Sequence, residues 1–174
     1  MSTKYGLGLV SIEFAAVAGD GGPGNAFTAL GNTVKGSAQL TTADGTTTDF
    51  NIEEQDDPVE TVQSTKGKTT LAFSCYDVQG PTLVKFFGGT YTPYAAGPPV
   101  VPESYSPPAT VPTIEKTVRV TDKKGNILTI CRGSVKAKFS WSFTGDKLAQ
   151  VDVTVDILTP TKANTPAYTI VYPQ

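Results

Sequence analysis

The sequence predicts a mainly β fold: an antiparallel β-sandwich or split barrel with one short flanking α-helix and long loops. About seven strand-like runs of similar length are separated by short Gly-containing turns, as in sandwiches and small barrels. In residues 151–157, Val and Ile alternate with Asp and Thr, which is the period of a half-buried antiparallel strand. With 174 residues and 39% hydrophobic content, the chain is predicted to form a single domain, residues 1–174, around one core.

The first strands are predicted from their alternation and from a turn signal. Residues 5–14 form the first strand, which ends before a Gly-rich loop. Residues 34–40 and 46–52 flank the pair Asp44-Gly45, and an Asp-Gly pair supplies the positive φ of a tight turn. These two runs are therefore predicted to pair with each other as a hairpin.

The middle of the chain is predicted to contain a loop, a strand and the helix. Residues 53–68 form an acidic, Pro-containing loop, and residues 69–77 form a strand. The helix is predicted to open at Pro81 and to end at Gly88, because Pro suits the first helical turn and Gly suits the C-terminal cap. The buried positions expected here are Leu71, Phe73 and Cys75 on the strand and Leu83, Phe86 and Phe87 on the helix.

The second half begins with an extended segment and returns to strands. Residues 91–113 contain seven prolines between Pro93 and Pro112, so this long loop is not expected inside a sheet. The remaining strands are predicted at residues 114–121, 127–131, 135–143 and 150–158. The turn at 122–126 makes the first two of these a hairpin, and the apolar phase of 135–143 places Phe139 and Trp141 in the core.

The charge and hydropathy patterns narrow the classes of function. A net charge of −2 and a pI near 5.1 provide no cationic surface for binding DNA phosphates specifically. No run approaches the ~20 apolar residues of a membrane span. A secretory signal at residues 4–18 is disfavoured because Glu13 interrupts the apolar run. A soluble protein made in the cytoplasm, without a membrane partner, is therefore expected.

Catalytic and metal-binding constellations are not found in the sequence. The chain has no histidine, so the common triads and imidazole-based metal sites lack their central residue. The acidic run at residues 53–57 is typical of a solvated loop. Cys75 and Cys131 are interpreted as small buried hydrophobes, with a single bridge between neighbouring strands as the alternative in an oxidising compartment. We expect neither an enzyme nor a cofactor.

The order of these signals resembles the major tail (tail tube) proteins of long-tailed bacteriophages, particularly those of Bacteroidetes phages and related prophages. The resemblance spans most of the chain and depends on pattern and order, with no catalytic signature. Its segments are KYGLG at 4–8, Gly31, KGSA at 35–38, TTTDF at 46–50, DP at 57–58, KGKTT at 66–70, LVKFFGGT at 83–90 and the run 141–160.

The resemblance implies a structural virion protein. Six copies would close into a ring, and stacked rings would form the tube that conducts DNA during ejection without binding it specifically. The implied partners are further copies of the chain and other tail proteins, such as the tape measure, the terminator and the baseplate or tip. The loops at 53–68 and 91–113 would be arms that contact neighbouring subunits. The candidate contact residues are Asp56, Asp57, Pro58, Tyr91, Tyr94 and Tyr105.

A second class of function remains open from the residues alone. A secreted or surface β-sandwich binding module would use exposed Tyr residues to hold a glycan or a protein ligand. The two hypotheses differ in their expected behaviour in solution, because a module stays monomeric and a tube protein polymerises.

Overall fold

The computed structural model describes residues 5–173, so Lys4 lies outside the described residues. The described chain has a mainly β fold with a single short helix, as predicted. Its elements are β1 Leu9–Ala16, β2 Thr28–Leu30, β3 Gln39–Thr42, β4 Thr46–Ile52, β5 Gln55–Thr65, β6 Thr69–Cys75, α1 Gly80–Phe87, β7 Thr90–Thr92, β8 Ser104–Ser106, β9 Ile114–Asp122, β10 Ile127–Ser140, β11 Gln150–Leu158 and β12 Tyr168–Val171.

Eight strands form one antiparallel sheet in the order β2-β1-β9-β10-β11-β6-β3, with β12 paired to β10 beside this path. Strand β10 has two neighbours along one edge: residues 127–130 pair with β12, and residues 132–140 pair with β11. The sheet therefore divides along β10. The predicted strands at 127–131 and 135–143 are one continuous strand, with a register shift against β9 between Ile130 and Gly133.

The sheet curls around an aromatic core. Phe14 of β1 and Phe73 of β6 are separated by three strands in the sheet order, yet their ring centroids are 6.0 Å apart. In a flat sheet these strands would lie roughly 19 Å apart, so the two ends of the sheet fold toward each other. Phe86 of α1 completes the cluster, 5.5 Å from Phe14 and 6.4 Å from Phe73.

The predicted buried face of β6 is confirmed, because Leu71, Phe73 and Cys75 are at most 2% exposed. Cys75 and Cys131 are both buried and both free thiols, which agrees with their interpretation as small hydrophobes. Burial raises the pKa of each thiol.

The predicted helix is confirmed to within one residue at each end. Asp77 precedes it and accepts hydrogen bonds from the Gln79 backbone N–H at 3.1 Å and the Thr82 hydroxyl at 2.8 Å. Gly88 ends the helix with a φ of 72°. Phe86 is buried as predicted, while Leu83 and Phe87 are partly buried against the core.

The predicted hairpin around Asp44-Gly45 is wrong. Strand β3 pairs with β6, and β4 pairs with β5, so the chain runs straight through residues 43–45. A Cβ on Gly45 would lie 2.3 Å from the Thr65 carbonyl oxygen, and one on Gly67 would lie 1.6 Å from the Ala43 carbonyl oxygen. These glycines allow two strands to approach closely, which is a different requirement from the positive φ of a turn.

Candidate assembly surfaces

A two-stranded arm, residues 46–65, extends from the edge of the main sheet. Strands β4 and β5 pair from Thr46 opposite Thr65 to Ile52 opposite Gln55, and the pairing continues the β3–β6 ribbon through the Ala43 N–H to Lys68 C=O hydrogen bond of 2.8 Å. All residues of β4 and β5 are exposed. Seven residues of strand are about 20 Å long. Residues 53–68, predicted as an acidic loop, therefore contain the tip and the second strand of a projecting β-hairpin.

The arm exposes two apolar side chains on one face. Phe50 and Val62 share this face with Glu60 and Thr48, because Phe50 is opposite Glu60 and Val62 is opposite Thr48. Phe50 is 54% exposed and Val62 is 44% exposed. An isolated two-stranded ribbon is marginally stable in water, and exposed apolar side chains on a projecting element are typical of a contact surface.

The arm is also strongly acidic. Its carboxylates are Asp49, Glu53, Glu54, Asp56, Asp57 and Glu60, and residues 46–65 include no Lys or Arg. The turn at residues 53–54 forms the tip. The predicted contact residues Asp56, Asp57 and Pro58 lie exposed in β5 next to this tip. Pro58 is compatible with β5 because this strand has a partner on one side only.

A buried carboxylate holds the root of the arm. Asp156 of β11 is 5% exposed, and its Oδ2 atom lies 2.7 Å from the Nζ atoms of both Lys68 and Lys136. Lys68 directly precedes β6, where the arm leaves the sheet. Burial raises the pKa of the Asp156 carboxyl, but the two lysines outweigh this effect and hold the pKa below its usual range.

The Pro-rich segment predicted as a loop at 91–113 contains a second, smaller hairpin. Strand β7 pairs with β8, and Ala95 forms a bridge with Val101 beyond them. The Tyr105 hydroxyl donates to the Gly88 carbonyl at 3.0 Å, and the Tyr91 hydroxyl donates to Glu103 at 3.0 Å. The hydrogen bond to Glu103 raises the pKa of Tyr91, and burial raises that of Tyr105.

The structure therefore places the predicted contact residues in different surroundings. Tyr91 and Tyr105 use their hydroxyls within the chain and hold the small hairpin near α1. Tyr94 lies beyond β7 and is 61% exposed, so it is available for a contact outside the chain. The acidic residues belong to a separate element, the arm.

The third surface is an aromatic patch formed by Phe139, Trp141 and Phe143, whose exposure the sequence analysis did not predict. Their side chains are 39%, 56% and 89% exposed, so the prediction that Phe139 and Trp141 lie in the core is wrong. The Trp141 ring stacks on Phe143 with centroids 5.4 Å apart, and Phe139 meets Trp141 edge-on at 5.8 Å. The pairing of β10 with β11 ends at Ser140. Trp141 and Phe143 continue the apolar alternation of β10 beyond the paired strands, where they are exposed to solvent.

The patch borders an apolar groove of about 650 Å³. Leu83 and Phe87 of α1 form one wall, and Pro108 and Val111 of the Pro-rich segment form another. Phe139 lies at its edge and Val111 is 98% exposed. An exposed apolar surface of this kind is typical of a protein–protein contact.

The described residues contain neither a cluster of metal ligands nor a membrane-spanning helix. Between residues 5 and 173, no three Cys, Asp or Glu side chains are grouped closely enough to hold a metal ion. In the same part of the chain, no helix is long and apolar enough to cross a membrane.

Two comparisons with known proteins bear on this arrangement. A sequence model of a family described as phage tail tube protein matches residues 15–173. The match covers the arm, the helix, the Pro-rich hairpin and the curled sheet except residues 9–14 of β1. A search of curated proteins found no match.

Proposed function

Because this chain belongs to the phage tail tube protein family, we propose that six copies form a ring and that the rings stack into a hollow tube that conducts DNA during ejection. The coarser function follows from the family itself: the protein is a structural component of the phage tail, self-assembles with other tail proteins and does not belong to an enzyme class. The observation that carries the proposal further is the arm, an element that is solvated on both faces in the single chain.

In an assembly, a neighbouring subunit would provide the packing partner that the arm lacks in the monomer. A two-stranded ribbon needs a third strand or a packed face for independent stability, and Phe50 and Val62 provide such a face. The arm extends about 20 Å from the sheet, which is far enough to reach another subunit. We propose that Asp56, Asp57 and Pro58, next to the tip of the arm, contact that subunit. Tyr94 on the Pro-rich hairpin and the aromatic patch provide further contacts.

The charge of the chain agrees with a channel for DNA. A net charge of −2 leaves no basic excess to condense on phosphates, so DNA would slide without being held. In this proposal the whole chain acts as one domain, is made in the cytoplasm of the host and is incorporated into the virion tail. Its further partners are the tape measure, the terminator and the baseplate or tip.

Two deletions test the proposal. In the first variant, Asn-Gly replaces residues 46–65, so that β3 and β6 are joined by a tight turn. In the second variant, residues 91–113 are replaced by a short Gly-Ser linker. Each variant is expected to remain a folded monomer that does not assemble, while the full chain forms rings and tubes. Circular dichroism, sedimentation velocity and negative-stain microscopy measure these outcomes. Tubes formed by both variants would contradict the proposed role of the arm and the hairpin.

A further inference from the structure

We propose that the arm of one copy docks into a lysine-rimmed groove on another copy of the same chain. The groove, about 1200 Å³ in volume, lies between residues 6–11, residues 30–40 and the turn that joins β9 to β10. This inference rests on the proposed assembly and adds the surface that receives the arm.

The groove exposes apolar side chains that Phe50 and Val62 of the arm would contact. Leu7 is 58% exposed, Ile170 is 43% exposed and Tyr172 is 50% exposed, and all three line the groove. Leu40 lines it as well and is 38% exposed. Burying Phe50 and Val62 against these residues would remove apolar area from water on both partners.

The charges of the two surfaces are opposite. Lys35 and Lys123 line the groove, and Lys124 follows Lys123 in the β9–β10 turn. All three lysines are exposed, and none is among the ion pairs of the described residues. The arm brings carboxylates without any cation of its own, so opposite charges would meet when the arm tip reaches the groove rim.

One acidic group, Asp122, also lines the groove and reduces its positive charge without reversing it, because three lysines lie beside it. The carboxylate of Asp122 accepts hydrogen bonds from the backbone N–H groups of Leu7 at 3.2 Å, Lys124 at 2.8 Å and Asn126 at 2.8 Å. It also accepts one from the Asn126 side-chain amide at 2.7 Å. These donors engage both oxygens of Asp122, and among the described residues its carboxylate forms no ion pair with any of the three lysines.

The contact is intermolecular because the arm does not occupy the groove of its own chain. The ribbon is paired from Gln39 outward to Ile52 and leaves the sheet beside Leu40 and Leu71, which line the groove. All arm residues are exposed in the single chain. Arm and groove are different surfaces, so each copy would offer one of each, and such head-to-tail contacts build closed rings or open filaments.

Charge reversal tests the pairing. The arm variant E53K/E54K and the groove variant K35E/K123E are each expected to raise the protein concentration required for assembly by about tenfold, because like charges then face each other. The chain carrying all four changes restores opposite charges between positions 53 and 54 of the arm and positions 35 and 123 of the groove, so it is expected to assemble at a lower concentration than either reversal alone. The matched controls D146K and K147E lie in an exposed loop outside both surfaces and are expected to assemble normally.

A cross-link tests the same contact without depending on charge. In the variant E54C/K123C, oxidation is expected to give a ladder of covalent oligomers on a non-reducing gel, whereas E54C alone gives no ladder. The native Cys75 and Cys131 are buried, so they provide a low background.

The outcomes separate this inference from the proposed function. If the wild-type chain forms tubes, but the four-change variant assembles no better than either reversal and E54C/K123C gives no ladder, the arm–groove contact is wrong and the tube remains. If the cross-link forms while the wild-type chain makes neither rings nor tubes, the contact stands and the proposed tube fails. If the arm docks instead on another tail protein, the purified chain gives no ladder, and the inference is overturned.

Discussion

Replacing Asp156 with Asn tests whether the buried carboxylate holds the arm root. Asp156 is 5% exposed and meets Lys68 and Lys136 at 2.7 Å each. Hydrogen bonds to charged groups contribute about 1.5–3 kcal/mol each when buried. The lysine side chains are 55% and 66% exposed, and solvent screening reduces such pairs to roughly 0–1 kcal/mol. We therefore expect D156N to lower the free energy of unfolding by about 1–2 kcal/mol at pH 7.

The stability difference between the wild-type chain and D156N is expected to depend on pH. The folded-state pKa of Asp156 is lowered, so its contribution is fully present above the unfolded pKa of about 3.9 and is lost as the pH falls through the folded-state pKa. The difference in stability between the wild-type chain and D156N should therefore shrink below about pH 4. Lys68→Met should cost less than D156N, because Lys136 still pairs with the carboxylate.

Urea denaturation of the wild-type chain, D156N and K68M across pH measures these differences. Asp146→Asn, in an exposed loop, serves as a control for the removal of a surface charge. The reasoning is refuted if D156N is as stable as the wild-type chain at pH 7. It is also refuted if the loss does not shrink as the pH falls below about 4, where the carboxyl begins to be protonated in the unfolded state.

Three further perturbations have expected outcomes. Phe73→Ala should lower the free energy of unfolding by about 3–5 kcal/mol in urea denaturation, because this buried ring packs in the core; a loss below about 1 kcal/mol would contradict that packing. Gly67→Ala should speed hydrogen exchange at the arm root, because its Cβ would lie 1.6 Å from the Ala43 carbonyl oxygen; Gly145→Ala, with open space around its Cβ, should not. Emission from Trp141, the single tryptophan, should shift to the blue as the protein assembles, and an unchanged spectrum in tubes would show that the aromatic patch stays in water.

Alternation and capping signals predicted the regular elements well. The pattern that ends at Leu158 gave β11 with its correct bounds, and the Pro and Gly signals placed α1 within one residue. These predictions succeeded because each depends on neighbouring residues only. The short strands β2 and β12 were missed, since three or four residues carry too little pattern.

Local sequence patterns did not determine which strands pair with each other. A glycine required for close approach looks the same in sequence as one required for a turn, so Asp44-Gly45 was assigned to a hairpin that does not form. Trp141 has the spacing of a core residue, but its burial depends on where β11 stops pairing with β10.

The contact roles of the candidate residues stay a prediction, and only part of their structural setting could be foreseen from the sequence. The acidic residues around Pro58 were placed in a segment that would reach a neighbour, and the structure puts them on a projecting arm. Their β-structure was not foreseen, because acidic residues and proline are depleted in strands. The hydroxyl contacts of Tyr91 and Tyr105 within the chain depend on the fold of the Pro-rich hairpin, so composition alone did not separate them from Tyr94.

Negative-stain electron microscopy of the purified chain at several concentrations, together with its mass in solution, tests the tube directly. The proposed function predicts rings with sixfold symmetry that stack into hollow tubes as the concentration rises, with masses in multiples of six subunits. A chain that remains monomeric at every concentration, or that forms solid fibres without a channel, would contradict it.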